Sequence, residues 1–142
     1  MQQKRHRLTA GTAIVDITPR LRDDPSDRIY LSGYVARMGH AVGVHDPLTA
    51  RALALSDGDQ QALLVVCDLL GLAPEFSAQI RREIAGNTGI PEDAVMLACT
   101  HTHSGPATLT LHECGAVSPR YLAALRPKLV AVAQEAIAAL QP

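Results

Sequence analysis

The chain has 142 residues, 47% of them hydrophobic and 19% charged, which is enough for one domain with a real core. A formal net charge of -1 excludes a disordered polyelectrolyte and gives no basic surface of the kind that binds nucleic acid. The short basic run Lys4, Arg5, His6, Arg7 has no long apolar stretch behind it, so residues 1–8 read as a flexible, solvated tail. Neither a secretory signal nor a transmembrane segment is expected.

Cys67, Cys99 and Cys114 are odd in number and form no C-x-x-C pair, which argues against a disulfide framework and against a thiolate zinc site. A cytoplasmic location is the matching expectation. Cys67 and Cys99 lie inside apolar runs, where a free cysteine acts as a small buried hydrophobe.

In chain order, Ala10 to Ile17 alternates and stops at Thr18 and Pro19, the pattern of a strand. Leu21 to Pro47 is broken by glycine and proline and reads as loop, with a short extended stretch near Ile29 to Leu31. Leu48 to Leu55 and Ala62 to Leu69 are apolar runs joined by Ser56, Asp57, Gly58 and Asp59, a hairpin with an Asp-Gly turn. Pro74 opens an amphipathic helix through Phe76, Ile80 and Ile84, with Gly86 and Asn87 as its expected stop. Ala94 to Cys99 is a short strand, and Pro119 to Leu140 is a closing helix that has Ser118 as N-cap, with Pro127 expected to kink or split it. These elements predict an α/β fold, a layered mixed β-sheet with helices packed on it. Ligands of such sheets gather where strands end and loops begin.

The chemistry-bearing residues follow the last strand, in Thr100, His101, Thr102, His103, Ser104, Gly105 and Pro106. If the strand continues through His103, both imidazoles point to one face, about 6.5 to 7 Å apart at their backbones. Neutral imidazole is a common zinc ligand, but a catalytic zinc usually takes three protein ligands, so the pair alone is insufficient. Ser104 and Thr102 are placed to orient the rings by hydrogen bonds, and Gly105 with Pro106 makes a turn that lets a substrate approach the backbone. A metallo-β-lactamase pattern needs an acid and a further histidine where this chain has Gly105 and Pro106. An amidohydrolase barrel needs about 250 residues.

The run T-H-T-H-S-G-P resembles the neutral (non-lysosomal) ceramidase family. Ala10 to Pro19 is similar to that family's opening strand, Gly33 and Tyr34 to its glycine-tyrosine, Ala50 to Ala52 to its arginine-bearing strand, and Val65 to Gly71 to its aspartate-ended strand. The resemblance implies that residues 1–142 are the N-terminal segment of a catalytic domain, hence an incomplete one. It implies hydrolysis of a linear amide, in ceramide or a related N-acyl lipid, with Zn2+ as cofactor. His101 is then a zinc ligand, and His103 is the catalytic residue that faces the substrate and helps polarise the amide. The family's other zinc ligands, a histidine, a glutamate and a tyrosine, and its G-D-V-S-P-N-like segment, lie downstream of the motif. Ser118 lacks the Gly-Asp that precedes that serine and is read as a helix cap.

His45 with Asp46, and Asp68 at a strand end, are further candidates for the substrate pocket, together with Ser104 and Gly105. Arg51 inside an apolar strand is expected to pair with an acid such as Asp68. His112, Glu113 and Cys114 read as solvated loop rather than a second metal site. Two classes of function follow: part of a zinc amide hydrolase, or a non-catalytic binding or assembly module of the same fold. As a piece of a larger site, the chain is expected to self-associate or to pair with a C-terminal part.

Overall fold

The computed structural model describes residues 7–22, 24–37 and 39–142; residues 1–6 of the expected tail lie outside it. Four strands form one sheet in the order β1 (Thr9–Asp16), β2 (Thr49–Ser56), β3 (Gln61–Cys67) and β4 (Val95–Cys99). The first two pairings are antiparallel, with Asp16 opposite Thr49 and Ala50 opposite Cys67, whereas β3 and β4 run parallel with Cys67 beside Cys99. The parallel pair is joined by helix α1 (Pro74–Thr88), and helix α2 (Pro119–Ala138) closes the chain. This is the mixed α/β sheet that the pattern of elements predicts.

Alternation decides which face each strand buries. Ala50, Ala52 and Ala54 of β2 and Leu63, Val65 and Cys67 of β3 are buried, while the residues between them are not. The alanine row leaves room for α2, which packs on β1 and β2 through Leu125, Leu129, Val132 and Ala136, while α1 lies against β4 and α2. Each fully buried Leu, Ile or Val contributes about 1.5–3 kcal/mol relative to exposure. On the face away from the helices, Ile14 and Met96 remain 60% and 64% exposed.

Two helix boundaries differ from the sequence expectation. Helix α1 runs through Gly86 and Asn87 and stops at Gly89, whose φ of 77° and bond to the Ala85 carbonyl make the left-handed cap. A glycine inside an exposed helical turn costs only about 1 kcal/mol, too little to end it. Helix α2 is not divided at Pro127, which lies on its exposed side, where water can satisfy the Ala123 carbonyl that loses its partner. Ser118 is the N-cap as expected, its hydroxyl accepting from the Tyr121 amide at 3.1 Å.

The bonds that continue the sheet define one functional end. Ile17 donates to the Leu48 carbonyl, Asp68 to the Thr49 carbonyl and Thr100 to the Cys67 carbonyl. The loops that leave β1, β3 and β4 and the loop that enters β2 therefore meet at the same edge.

Candidate functional site

The turn after β3 is the cradle of the histidine motif. Its carbonyls accept in succession: Cys67 from the Thr100 amide, Leu69 from the His101 amide at 3.0 Å, Leu70 from the His101 ring and Gly71 from the buried Thr108 hydroxyl. Gly105 fills the space over the same turn, where an added Cβ would lie 3.2 Å from the Asp68 carbonyl oxygen and 3.6 Å from Leu69 Cα. A side chain there would press on the Asp68 carbonyl oxygen and touch Leu69, so glycine gives the closest approach of the two segments. The segments 65–71 and 100–108 are thus one structural unit.

The strand does not continue to His103. It ends at Cys99, and His101 takes a φ of 63°, left-handed backbone that turns the chain. The amide and ring bonds of His101 to Leu69 and Leu70 hold it in that conformation, which a plain strand extension could not reach. The rings still meet, with centroids 5.2 Å apart and planes at 68°, so the pairing of the imidazoles comes from a turn rather than from strand alternation. His101 Nδ1 lies 2.9 Å from the Leu70 carbonyl oxygen. A carbonyl only accepts, so Nδ1 carries the proton and the lone pair of the neutral ring lies on Nε2. That is how second-sphere carbonyls prepare a metal-binding histidine.

The second ring is held from the other side by the segment that sequence reading leaves as loop. Leu31 bridges Pro106, Ala107 donates to the Tyr30 carbonyl and Ser32 to the Gly105 carbonyl, so residues 30–32 dock along the tail of the motif. Gly33, at φ 112°, lies flat on the His103 ring; a Cβ there would be 2.4 Å from Cγ. Tyr34 meets the same ring edge-on at 4.9 Å. Arg37 stacks 4.8 Å over the Tyr34 ring and donates to the His103 carbonyl at 2.8 Å. Arg37 is the site residue that sequence reasoning misses. The glycine-tyrosine pair just before it was the available signal.

The remaining candidates fall in different places. Asp68 stands at the β3 exit and accepts from the amide and hydroxyl of Thr49 at 2.9 and 2.7 Å. Arg51 approaches to 3.5 Å, the expected pairing. Burial pushes the Asp68 carboxyl up, but the Thr49 hydrogen bonds, with Arg51 and Thr100 alongside, outweigh it and hold the group below the usual carboxylate range. Ser104 is exposed beside the pair, its amide donating to the Thr102 hydroxyl. His45 belongs elsewhere: its ring is 97% exposed and bonded to Asp46 at 2.7 Å. The His112 ring is likewise 94% exposed beside Glu113, whereas Cys114 is buried.

A search of known proteins finds relatives for this arrangement. Over 101 residues, 68% of this chain, the sequence is 35% identical to neutral ceramidase A of Dictyostelium discoideum. The fold superposes on the crystal structure of neutral ceramidase from Pseudomonas aeruginosa with a TM-score of 0.79 over 95% of the chain, at 23% identity. A ceramidase structure described as complexed with C2 gives 0.80. The chain belongs to the neutral ceramidase family. It spans 13% of the Dictyostelium relative and 22% of the Pseudomonas structure, so it corresponds to a part of those longer members. No family model matches it.

Family membership makes the donor set worth testing against a zinc ion. The free Nε2 of His101 suits one coordination position. Among the described residues, no group of three histidine, cysteine or acidic side chains is placed to hold a metal. The residues present therefore fit one ligand of such a site and do not complete it.

Proposed function

We propose that this chain supplies the histidine part of a hydrolase site for a linear amide, ceramide or a related N-acyl lipid, with His101 as a zinc ligand and His103 facing the substrate. The observation that carries the reading is the His101 ring, fixed by the Leu70 carbonyl with its Nε2 lone pair free and the His103 ring 5.2 Å away. Zinc bound at such a position polarises a carbonyl or lowers the pKa of a bound water. The further ligands must come from outside the described residues of this chain.

The role of His103 rests on how it is held. Its ring packs between Gly33, Tyr34 and His101, and its carbonyl is tied to Arg37, so an imidazole N–H can be presented to an amide oxygen without reorganisation. Exposed Ser104 is the residue of the turn best placed to touch substrate. Asp68 and Gly105 serve from beneath, by fixing the turn that carries both rings.

Zinc titration followed on the histidine ring nitrogens tests the reading. His101 Nε2 is expected to shift on zinc addition while the Nδ1 proton persists, and His101→Ala is expected to abolish binding. Equal zinc retention in His101→Ala sinks the assignment. The lack of a third ligand among the described residues favours a second reading, a non-catalytic binding or assembly module of the same fold. Binding of an N-acyl lipid analogue whose amide stays intact even after a C-terminal part bearing the further ligands is added with zinc selects that reading.

A further inference from the structure

We propose a second binding site at the same end of the sheet, a cavity that takes an anionic head group carried on an aliphatic chain. The cavity, about 320 Å³, opens between the exit of β1, the turn at Asp27 and the first turns of α2. Its rim carries Arg20, Arg22, Arg120 and Lys128, and its floor is aliphatic, with Ile17, Ile29 and Leu125. Four cations and one carboxylate, Asp27, line one concavity in a chain whose overall charge is -1.

The charges are organised rather than scattered. The Asp27 side chain is 9% exposed and accepts from Arg120 at 3.2 Å, with Arg22 at 3.8 Å on the same oxygen. One carboxylate thereby aligns two guanidinium groups and cannot neutralise both. Lys128 gives its ammonium to a neutral acceptor, the Asp16 backbone carbonyl, at 2.7 Å. Asp16 and Asp24 lie outside the lining, with carboxylates that accept from Thr18 and Ser26. Lys128 acts on the first and Arg120 and Arg22 on the second through charge, so these acids offset part of the rim and Arg20 stays the unpaired cation among the described residues.

This combination selects the ligand class. Guanidinium forks match carboxylate and phosphate oxygens, and an aliphatic floor rewards a hydrocarbon chain. An inorganic anion would use only the rim, and a neutral amphiphile only the floor. One chain segment leads from the cavity to the histidine pair. Ile29 of the floor begins the extended segment whose Tyr30 and Leu31 dock on residues 106–107 and whose Gly33 covers His103, about 13 Å further along. The inference does not depend on amide hydrolysis, because it is read by binding alone.

The test is binding of decanoate and decyl phosphate, below their micelle concentrations, to the 142-residue chain by titration calorimetry and amide NMR. Decyl maltoside and inorganic phosphate are the comparators. At least tenfold tighter binding of an anionic amphiphile than of either comparator is expected, with shifts at Ile17 and Tyr121. Arg20→Glu reverses an exposed rim charge and Ala124→Trp fills the cavity from the exposed side of α2; each is expected to weaken binding tenfold or more with the fold intact by thermal melt. Preference for decanoate assigns a free acyl carboxylate as the source of the head group, and preference for decyl phosphate assigns a phosphorylated lipid. Equal binding of decyl maltoside, equal binding of inorganic phosphate, or unchanged binding in both variants overturns the proposal.

Discussion

Two loops at the functional end each carry two histidines, and they are built in different ways. In residues 100–108 the amides of Thr100, His101 and Ala107 all donate to fixed carbonyls, and Gly105, Pro106, Ala107 and Thr108 are buried. In residues 39–48 the His45 ring bonds, among the described residues, only to its sequence neighbour Asp46, His40 meets the Tyr30 ring edge-on at 6.4 Å, and Val42 is 93% exposed. A histidine gains a defined ring orientation from the backbone accounting around it rather than from its own chemistry. That contrast predicts large effects from changes that replace no histidine around the first loop, and small ones from removing His45 of the second.

The largest effect is expected for Gly33→Val. The new side chain must overlap the His103 ring and adopt a φ of 112° that a β-branched residue rarely accepts. Strain and overpacking together cost about 3 kcal/mol or more. Urea unfolding measures the loss, and the His103 ring signals should move away from Tyr34. An unchanged His103 environment would mean that the glycine contact is dispensable. Next in size is Thr108→Val, which keeps the shape of a fully buried side chain and leaves the Gly71 carbonyl without its donor. A loss of about 1–3 kcal/mol is expected. An unaltered midpoint would show that the turn after β3 does not depend on this bond.

The contrast also marks where sequence reading succeeds. The β2–β3 hairpin is legible because apolar alternation flanks Asp57 and Gly58, which fall in a four-residue loop between Ser56 and Gln61 where Gly58 takes a positive φ of 96°. The histidine motif is legible as text, and so is its kinship with residues 65–71, because both segments are short and ordered in the chain. Its geometry is not: the left-handed His101 is set by carbonyls of Leu69 and Leu70, about thirty residues earlier. Arg37 is hidden for the same reason, since its partner lies 66 residues away and no local pattern announces the bond. For His45, which the sequence groups with the pocket, the bond found among the described residues is to its neighbour Asp46, a contact any His-Asp pair in a loop can make.

A smaller effect is expected at Asp68, which ties the entry of β2 to the exit of β3 through Thr49. Its folded pKa lies below the unfolded value of about 3.9, so the stabilisation is fully present above that pH and is lost as the pH falls through the folded value. Asp68→Asn should flatten this acid limb of the stability profile and cost about 1–2 kcal/mol at neutral pH. A variant with the same acid limb as the parent would assign that limb to other carboxylates.

The smallest effect belongs to the second loop. The hydrogen bond that His45 donates to the Asp46 carboxylate, and then that group's charge, raise the His45 pKa above the ordinary imidazole value, although the ring is exposed to water. A raised folded pKa stabilises below the unfolded value of about 6.5, and the contribution disappears as the pH rises through the folded one. Because water and salt screen an exposed pair, His45→Ala should leave the melting temperature unchanged at both pH 5 and pH 8. A ring NMR titration should still show the raised midpoint, and Asp46→Asn should return it to the ordinary value. If His45→Ala instead lowers stability or abolishes binding of an N-acyl lipid analogue, this loop closes onto the histidine pair in solution, and the division between a built loop and a free one fails.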